Sequence, residues 1–394
     1  MPETVADGPE DDPVARARAL VPLLVEAAPR IEQARELTPE VLGALHSAGM
    51  FRLLLPRSVG GEEVDPAVFV EAVEAIAGGD ASAAWCMGQG SGCSMSAAYL
   101  DPPVARALFG GRAAVLAWGA GAAGRAVPAR GGYRVTGRWQ FASGSRHATW
   151  LGAHCKIVER DGTPRLDAAG RPAERTALLP RDAAAIEDVW QVVGLRGTGS
   201  DSYTVEDLFV AADHTLARDR PEERREPGRL YRFSTTSIYA SSFAGVALGI
   251  ARAMLDAFVA LAREKTPREG RGVLRDNAMV QAQVALAEAR LQASRGFLLH
   301  TLRAIRAGLG ERDELTLDQR MTIRLAATYA IHQARETADM AYSEAGATAI
   351  FQSNPLQQRF RDIHTVCQQV QGRAAHFETV GAHLLGLSPP LSFV

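Results

Sequence analysis

Gly131-Gly132-Tyr133-Arg134-Val135-Thr136-Gly137-Arg138-Trp139-Gln140-Phe141-Ala142-Ser143-Gly144-Ser145-Arg146-His147-Ala148-Thr149-Trp150 is the stretch on which the reading of the chain turns. Two adjacent glycines signal a turn, residues 133–136 form a short β-favouring run, Gly137 allows a tight reversal, and Trp139 and Phe141 alternate onto one face of a second strand. Ser143-Gly144 then breaks that strand. A small hydroxyl beside a glycine, just past an aromatic on the same face, offers one polar contact and one flat apolar wall to a planar ligand. The same residues also suit a surface hairpin with a tucked-in aromatic pair.

Outward from this hairpin, composition bounds the rest. A chain of 394 residues is too long for one ordinary core and long enough for two or three subdomains. Hydrophobic residues at 47% and charged residues at 22% describe a globular protein. With 43 Lys plus Arg against 45 Asp plus Glu, the net charge of -2 points to neither a nucleic acid nor an anionic membrane as partner. Cys86, Cys93, Cys155 and Cys367 are widely spaced without a Cys-x-x-Cys pair, which argues against a zinc site or disulfide scaffold and suits a reducing cytoplasm. Residues 1–12 are acidic and carry Pro and Gly, so they read as a disordered start and not as a signal peptide. No run of about 18 apolar residues suggests a membrane span.

Residues 13–112 read as a helical domain, with Thr38-Pro39 and Asp65-Pro66 as helix starts and a run of small residues at 83–98 that permits close helix approach or walls a cavity. Residues 113–217 change to glycine-rich turns and short β-branched or aromatic runs, a small β domain. Within it, Gly119-Ala120-Gly121-Ala122-Ala123-Gly124 lacks the strand-helix-strand setting of a dinucleotide fingerprint and reads as a loop. Residues 218–229, rich in Arg, Glu and Pro, form a solvated linker. From 230 to 394 the helical period returns in long segments at 233–265, 278–308, 316–346 and roughly 355–385, which implies a four-helix bundle. The Ala240, Ala244, Ala247 and Ala251 face of the first fits packing within the chain or against another copy. The fold class is therefore mainly α with a central β domain.

The pattern Gly-Tyr-x-Val-x-Gly-x-Trp-x-Phe-x-Ser-Gly of the opening stretch resembles the flavin-contacting strand of the acyl-CoA dehydrogenase superfamily, in the variant carried by its reduced-flavin monooxygenase branch. Three further motifs agree in order. Ala48-Gly49-Met50-Phe51-Arg52-Leu53 with Pro56 and Gly60-Gly61 resembles the family's N-terminal signature. Trp190 with residues 194–200 resembles the loop that closes its β domain, and Asn354-Pro355-Leu356-Gln357 with Arg361-Asp362 resembles the start of the last bundle helix. The resemblance implies an isoalloxazine ring between the β domain and the bundle, with Phe141 against one face, Ser143 near N5, and Trp118 and Gly119 by the pyrimidine edge. It also implies a homotetramer in which a neighbouring subunit completes the flavin site, and Arg263, Arg359 or Arg361 at the phosphate end.

The chain departs from the family at its bases. Where dehydrogenases of this fold carry a Glu that takes the substrate proton, the sequence has Val370, and a Val accepts no proton. The monooxygenase branch tends to place a His one position earlier; here that residue is Gln369. His364 lies five residues before Gln369 and, on one continuous helix, points about 140° away. His147 is the substitute acid or base. The reading that results is a monooxygenase taking reduced FMN or FAD from a separate reductase, with O2, to oxygenate a small aromatic, heteroaromatic or amine substrate. The alternatives are an acyl-CoA dehydrogenase or oxidase, and a non-catalytic member of the fold.

Overall fold

The computed structural model describes residues 12–168, 170–218, 220–268, 272–310 and 314–394. Most of the expected disordered start, residues 1–11, lies outside these. Asp12 instead caps the first helix, its carboxylate accepting the Val14 N–H at 2.9 Å ahead of Pro13. Five helices follow: α1 (Pro13–Ala34), α2 (Pro39–Ser47), α3 (Pro66–Gly79), α4 (Ala81–Ser94) and α5 (Pro102–Phe109). Thr38, Asp65 and Asp80 each turn a side-chain oxygen onto a first-turn N–H of α2, α3 and α4, so these starts are written in the sequence.

Eight strands come next: β1 (Leu116–Trp118), β2 (Gly124–Ala129), β3 (Gly132–Ala142), β4 (Trp150–Ile157), β5 (Glu174–Pro180), β6 (Ala185–Glu187), β7 (Asp201–Ala211) and β8 (Thr215–Leu216). They form one mixed sheet in the order β6-β7-β3-β2-β4-β5-β8, with β1 parallel to β4. Within residues 131–150, Gly132–Ala142 form one continuous strand, followed by turns and the start of β4. The hairpin turn lies at Arg130-Gly131, between β2 and β3, and Gly137 sits at a register shift and reverses nothing. A Cβ there would fall 2.6 Å from the Gly124 backbone, so the position is kept bare by close approach. Trp139 and Phe141 do not share a face either. A second irregularity between Trp139 and Ala142 holds Phe141 at φ 60° and turns its ring outward, 60% exposed. Trp139 stays in the core of the sheet, stacked on Tyr203 at 5.2 Å and donating from Nε1 to the His154 carbonyl at 2.8 Å. The glycine-rich loop joins β1 to β2 directly, with no helix after it.

The remaining helices are α6 (Thr235–Ala262), α7 (Ala278–Gly308), α8 (Leu317–Ala345), α9 (Pro355–Gln368) and α10 (Ala375–Leu384). α6 is central, packed on α3, α4, α8 and α9, and its Ala240, Ala244, Ala247 and Ala251 are wholly buried within the chain. By length and composition it could cross a membrane, which the sequence reading missed, yet 61% of its most apolar window is buried in the protein, as a core helix requires. The expected fourth long helix is in fact two, separated at Gln369, whose backbone is extended at φ -69° and ψ 148°. The stretch 218–229, apart from Asp219, is tied down where a solvated linker was expected. Arg224 is 7% exposed and pairs with Glu314, and the Arg225 N–H donates to the Ala98 carbonyl at 2.8 Å.

Candidate active site

A cavity of 1140 Å³ opens between the sheet and the helices. Roughly 300–1,000 Å³ suffices for a drug-sized ligand, so this one has room for a tricyclic ring and a small second molecule together. The sheet wall presents Trp118, Gly119, Phe141 and Ser143, joined by Thr198 and Ser200 from the loop before β7. The helical wall presents Trp85 and Gln89 of α4 with Tyr239 and Phe243 of α6. Residues 368–371, at the break between α9 and α10, close a third side.

Helical spacing explains the aromatic wall. Tyr239 and Phe243 are four apart on one face of α6, and Trp85 meets them from α4. The Trp85 and Phe243 rings stack at 3.8 Å with 4° between their planes, and Tyr239 continues the stack at 5.7 Å and 8°. The result is an apolar aromatic wall to the cavity. The Tyr239 hydroxyl accepts from Gln89 Nε2 at 3.3 Å, with Cys93 Sγ also 3.3 Å away.

Facing it, three hydroxyls form a chain. Trp85 Nε1–H donates to Ser143 Oγ at 3.0 Å, Ser143 and Ser200 are 2.6 Å apart, and Ser200 and Thr198 are 2.7 Å apart. Thr198 Oγ1 then donates to the Leu195 carbonyl at 2.8 Å. All three hydroxyls are buried.

Of the residues expected at the site, Trp118, Gly119, Phe141, Ser143 and Gln369 line this cavity, while His147, Arg263, Arg359 and Arg361 do not. Gly144, at φ 80°, turns the chain so that His147 is half-buried beside Phe51 at 5.8 Å. Its Nε2 has no hydrogen-bond partner among the described residues, and burial, with a lesser effect of His46, lowers its pKa to about 4. Arg359 closes the C-terminal end of α3, donating to the Gly78 carbonyl at 2.9 Å. Arg361 pairs with Glu32 at 2.6 Å and donates to the Val193 carbonyl at 2.6 Å. Arg263 is exposed at the end of α6. Gln369 Oε1 accepts the Gln371 N–H at 2.6 Å, so part of its amide serves its own turn. Because Gln369 stands outside the helix, the single-helix angle between it and His364 does not apply; His364 bonds Asp339 at 2.9 Å. Trp85, Tyr239, Phe243, Thr198 and Ser200 were not singled out from sequence as wall residues. The four-residue spacing of Tyr239 and Phe243 was the one local signal available.

The outer part of the cavity is cationic. Arg171 and Arg175 pair with Asp167 and Glu223. Arg218 lies over the Trp118 ring at 4.7 Å, a cation–π contact, and has no carboxylate partner among the described residues. Burial, then Arg218, lowers the pKa of His154 well below its usual value, keeping that imidazole neutral beside Thr176 at 2.7 Å.

The flavin implied by the motif resemblance fits these residues on three counts. Phe141 exposes an apolar ring to the cavity. Gly119 lines the cavity with backbone alone, and it is bare because it packs on β3, where a Cβ would meet the Gln140 carbonyl at 2.7 Å. Ser143 already accepts one hydrogen bond and keeps a lone pair for a donor in the cavity.

Comparison with known proteins agrees. Residues 241–372 match the family model described as acyl-CoA dehydrogenase, C-terminal domain. The chain is 32% identical to indole-3-acetate monooxygenase of Pseudomonas putida over 91% of its own length and 90% of that protein. It is 27% identical to the oxygenase component of the FADH2-dependent resorcinol hydroxylase of a Rhizobium species, covering 95% and 94%. Among solved structures, the HsaA monooxygenase from M. tuberculosis superposes with a TM-score of 0.88 at 25% identity, over 98% of this chain and all of that one.

Proposed function

The chain belongs to the flavin-dependent monooxygenases of the acyl-CoA dehydrogenase superfamily, and we propose that it oxygenates a small aromatic molecule bearing an anionic group. Reduced FMN or FAD, delivered by a separate reductase, would supply the two electrons with which one atom of O2 enters the substrate and the other leaves as water. Everything else falls to the chain. Phe141, Gly119 and Trp118 would hold the ring of the cofactor, and Ser143 would accept a hydrogen bond from it. The Trp85–Phe243–Tyr239 stack offers the substrate an aromatic wall, and the buried walls exclude water from the reacting atoms. Val370 at the dehydrogenase base position favours oxygen transfer over removal of a proton next to a thioester.

Arg218 carries the substrate class. A guanidinium held against an indole at the cavity wall, with no carboxylate partner among the described residues, matches a carboxylate or similar anion. Oxygen transfer to a ring that is already electron-rich needs little base assistance, which suits a cavity with Gln369 where the branch has His. The experiment uses indole-3-acetate, the substrate named for the Pseudomonas putida relative, with chemically reduced flavin and isotopically labelled O2. Label in the aromatic product supports the reading; label recovered wholly as hydrogen peroxide sinks it.

A cytoplasmic homotetramer completes the proposal. Met279 and Leu286 on α7, Ile350 and Phe351 before α9, and Leu384 and Leu385 at the end of α10 are exposed large apolar side chains, the sort a subunit interface covers. Arg263, exposed at the end of α6, would then serve a neighbouring subunit's cofactor phosphate. A monomer by light scattering at micromolar concentration would remove this part.

A further inference from the structure

We infer that Thr198 and Ser200 act as positioning residues that make Ser143 a hydrogen-bond acceptor towards the cavity, and that they thereby set the preference of the site for reduced over oxidised flavin. This rests on the reading that Ser143 faces flavin N5. Three short contacts link the hydroxyls and their terminus: Ser143 to Ser200 at 2.6 Å, Ser200 to Thr198 at 2.7 Å, and Thr198 to the Leu195 carbonyl at 2.8 Å. A carbonyl can only accept, so Thr198 donates to it. Three contacts then share three hydroxyl protons, and a single arrangement gives each contact its proton: Ser143 to Ser200, Ser200 to Thr198, Thr198 to Leu195. At the other end Trp85 Nε1–H can only donate, and does so into Ser143. The Ser143 proton is therefore committed to Ser200, which leaves its remaining lone pair for a donor in the cavity.

The two oxidation states of flavin differ at this atom. Reduced flavin carries N5–H, a donor, and oxidised flavin carries N5 with a lone pair, an acceptor. Ser143 can meet the first without rearrangement. To meet the second it must withdraw its proton, leaving one of the three contacts, at 2.6, 2.7 or 2.8 Å, with no proton between its oxygens. Neither Thr198 nor Ser200 needs to touch N5 to impose this.

The test measures dissociation constants of reduced and oxidised FMN and FAD, anaerobically, for the full chain and its variants. Thr198→Val is the main one. The Leu195 carbonyl keeps its 3.0 Å bond from Trp190 Nε1, while Ser200 loses its acceptor and the direction of the chain is freed. The ratio of oxidised to reduced dissociation constants is expected to fall roughly two- to tenfold, the value of one hydrogen bond, and to recover in Thr198→Ser. General damage to the pocket weakens both forms and leaves the ratio alone. A ratio unchanged in Thr198→Val overturns the inference. If that variant does not fold, Ser200→Ala removes the acceptor of the Ser143 proton directly and must lower the ratio for the inference to stand. A wild-type chain that binds neither flavin form would instead refute the monooxygenase reading itself.

Discussion

The backbone N–H of Leu195 donates to the carboxylate of Asp362 at 2.6 Å, joining residues 167 positions apart. The Leu195 carbonyl meanwhile accepts from Thr198 and from Trp190, so one loop residue ties the hydroxyl chain of the sheet wall to α9. Asp362→Ala leaves a buried N–H unpaired, which costs about 1–3 kcal/mol. The expected result is a lower Tm and faster cleavage between 190 and 200 under limited proteolysis. Equal cleavage rates would mean the loop is held by something else.

Ser143→Ala removes the acceptor of the Trp85 indole and the donor to Ser200. The loss of about 0.5–1.5 kcal/mol per bond predicts reduced-flavin affinity up to about tenfold weaker, with more peroxide released per O2 consumed and an unchanged circular dichroism spectrum. Gln369→Ala should alter product turnover more than flavin affinity. Wild-type affinity and coupling in Ser143→Ala would show that the end of β3 does not face the cofactor.

Arg218→Met keeps most of the volume over Trp118 and deletes the charge. The expectation is a rise in KM of about tenfold or more for an aromatic acid, as befits a lost charged hydrogen bond, with little change for the corresponding neutral amide. Equal effects on acid and amide would contradict the assignment.

His147 predicts acid sensitivity. Its pKa is about 4 in the fold and near 6.5 in an unfolded chain, so between those values the unfolded state binds the proton and the native state does not. Stability from this group is complete above about 6.5 and is lost as pH falls towards 4, by about 3 kcal/mol at most. His147→Phe should flatten the decline of Tm between pH 7 and pH 5 while sparing turnover, because the ring lies off the cavity. A decline as steep as in the wild type would assign the acid sensitivity to other groups.

Helix starts were legible because Thr38-Pro39, Asp65-Pro66 and Asp80 carry their caps locally, and the bundle showed in the length of its apolar periods. The break at Gln369 was not. The run from Val366 to Gln371 contains no proline or glycine, and what favours the turn is tertiary and local capping together: His332 Nε2 donates to the Gly372 carbonyl at 3.0 Å, His376 Nε2 donates to the Val370 carbonyl at 2.7 Å, and Gln369 caps its own turn. Period-two reasoning put Trp139 and Phe141 on one face because nothing between them announces the irregularity that lifts Phe141 out. The partners of Ser143 were equally hidden, since Trp85 and Ser200 stand 58 and 57 residues away in sequence.

Two glycines decide how the substrate range of this enzyme can be altered. A Cβ on Gly88 would come within 2.3 Å of Ser242 Oγ and one on Gly92 within 2.4 Å of the Tyr239 ring, so α4 and α6 already touch backbone to side chain with nothing to spare. The distance between these helices is consequently not a variable open to laboratory evolution. Larger guests are then to be admitted by trimming Trp85 or Phe243, and every such trim also removes half of the stacked pair that walls the pocket.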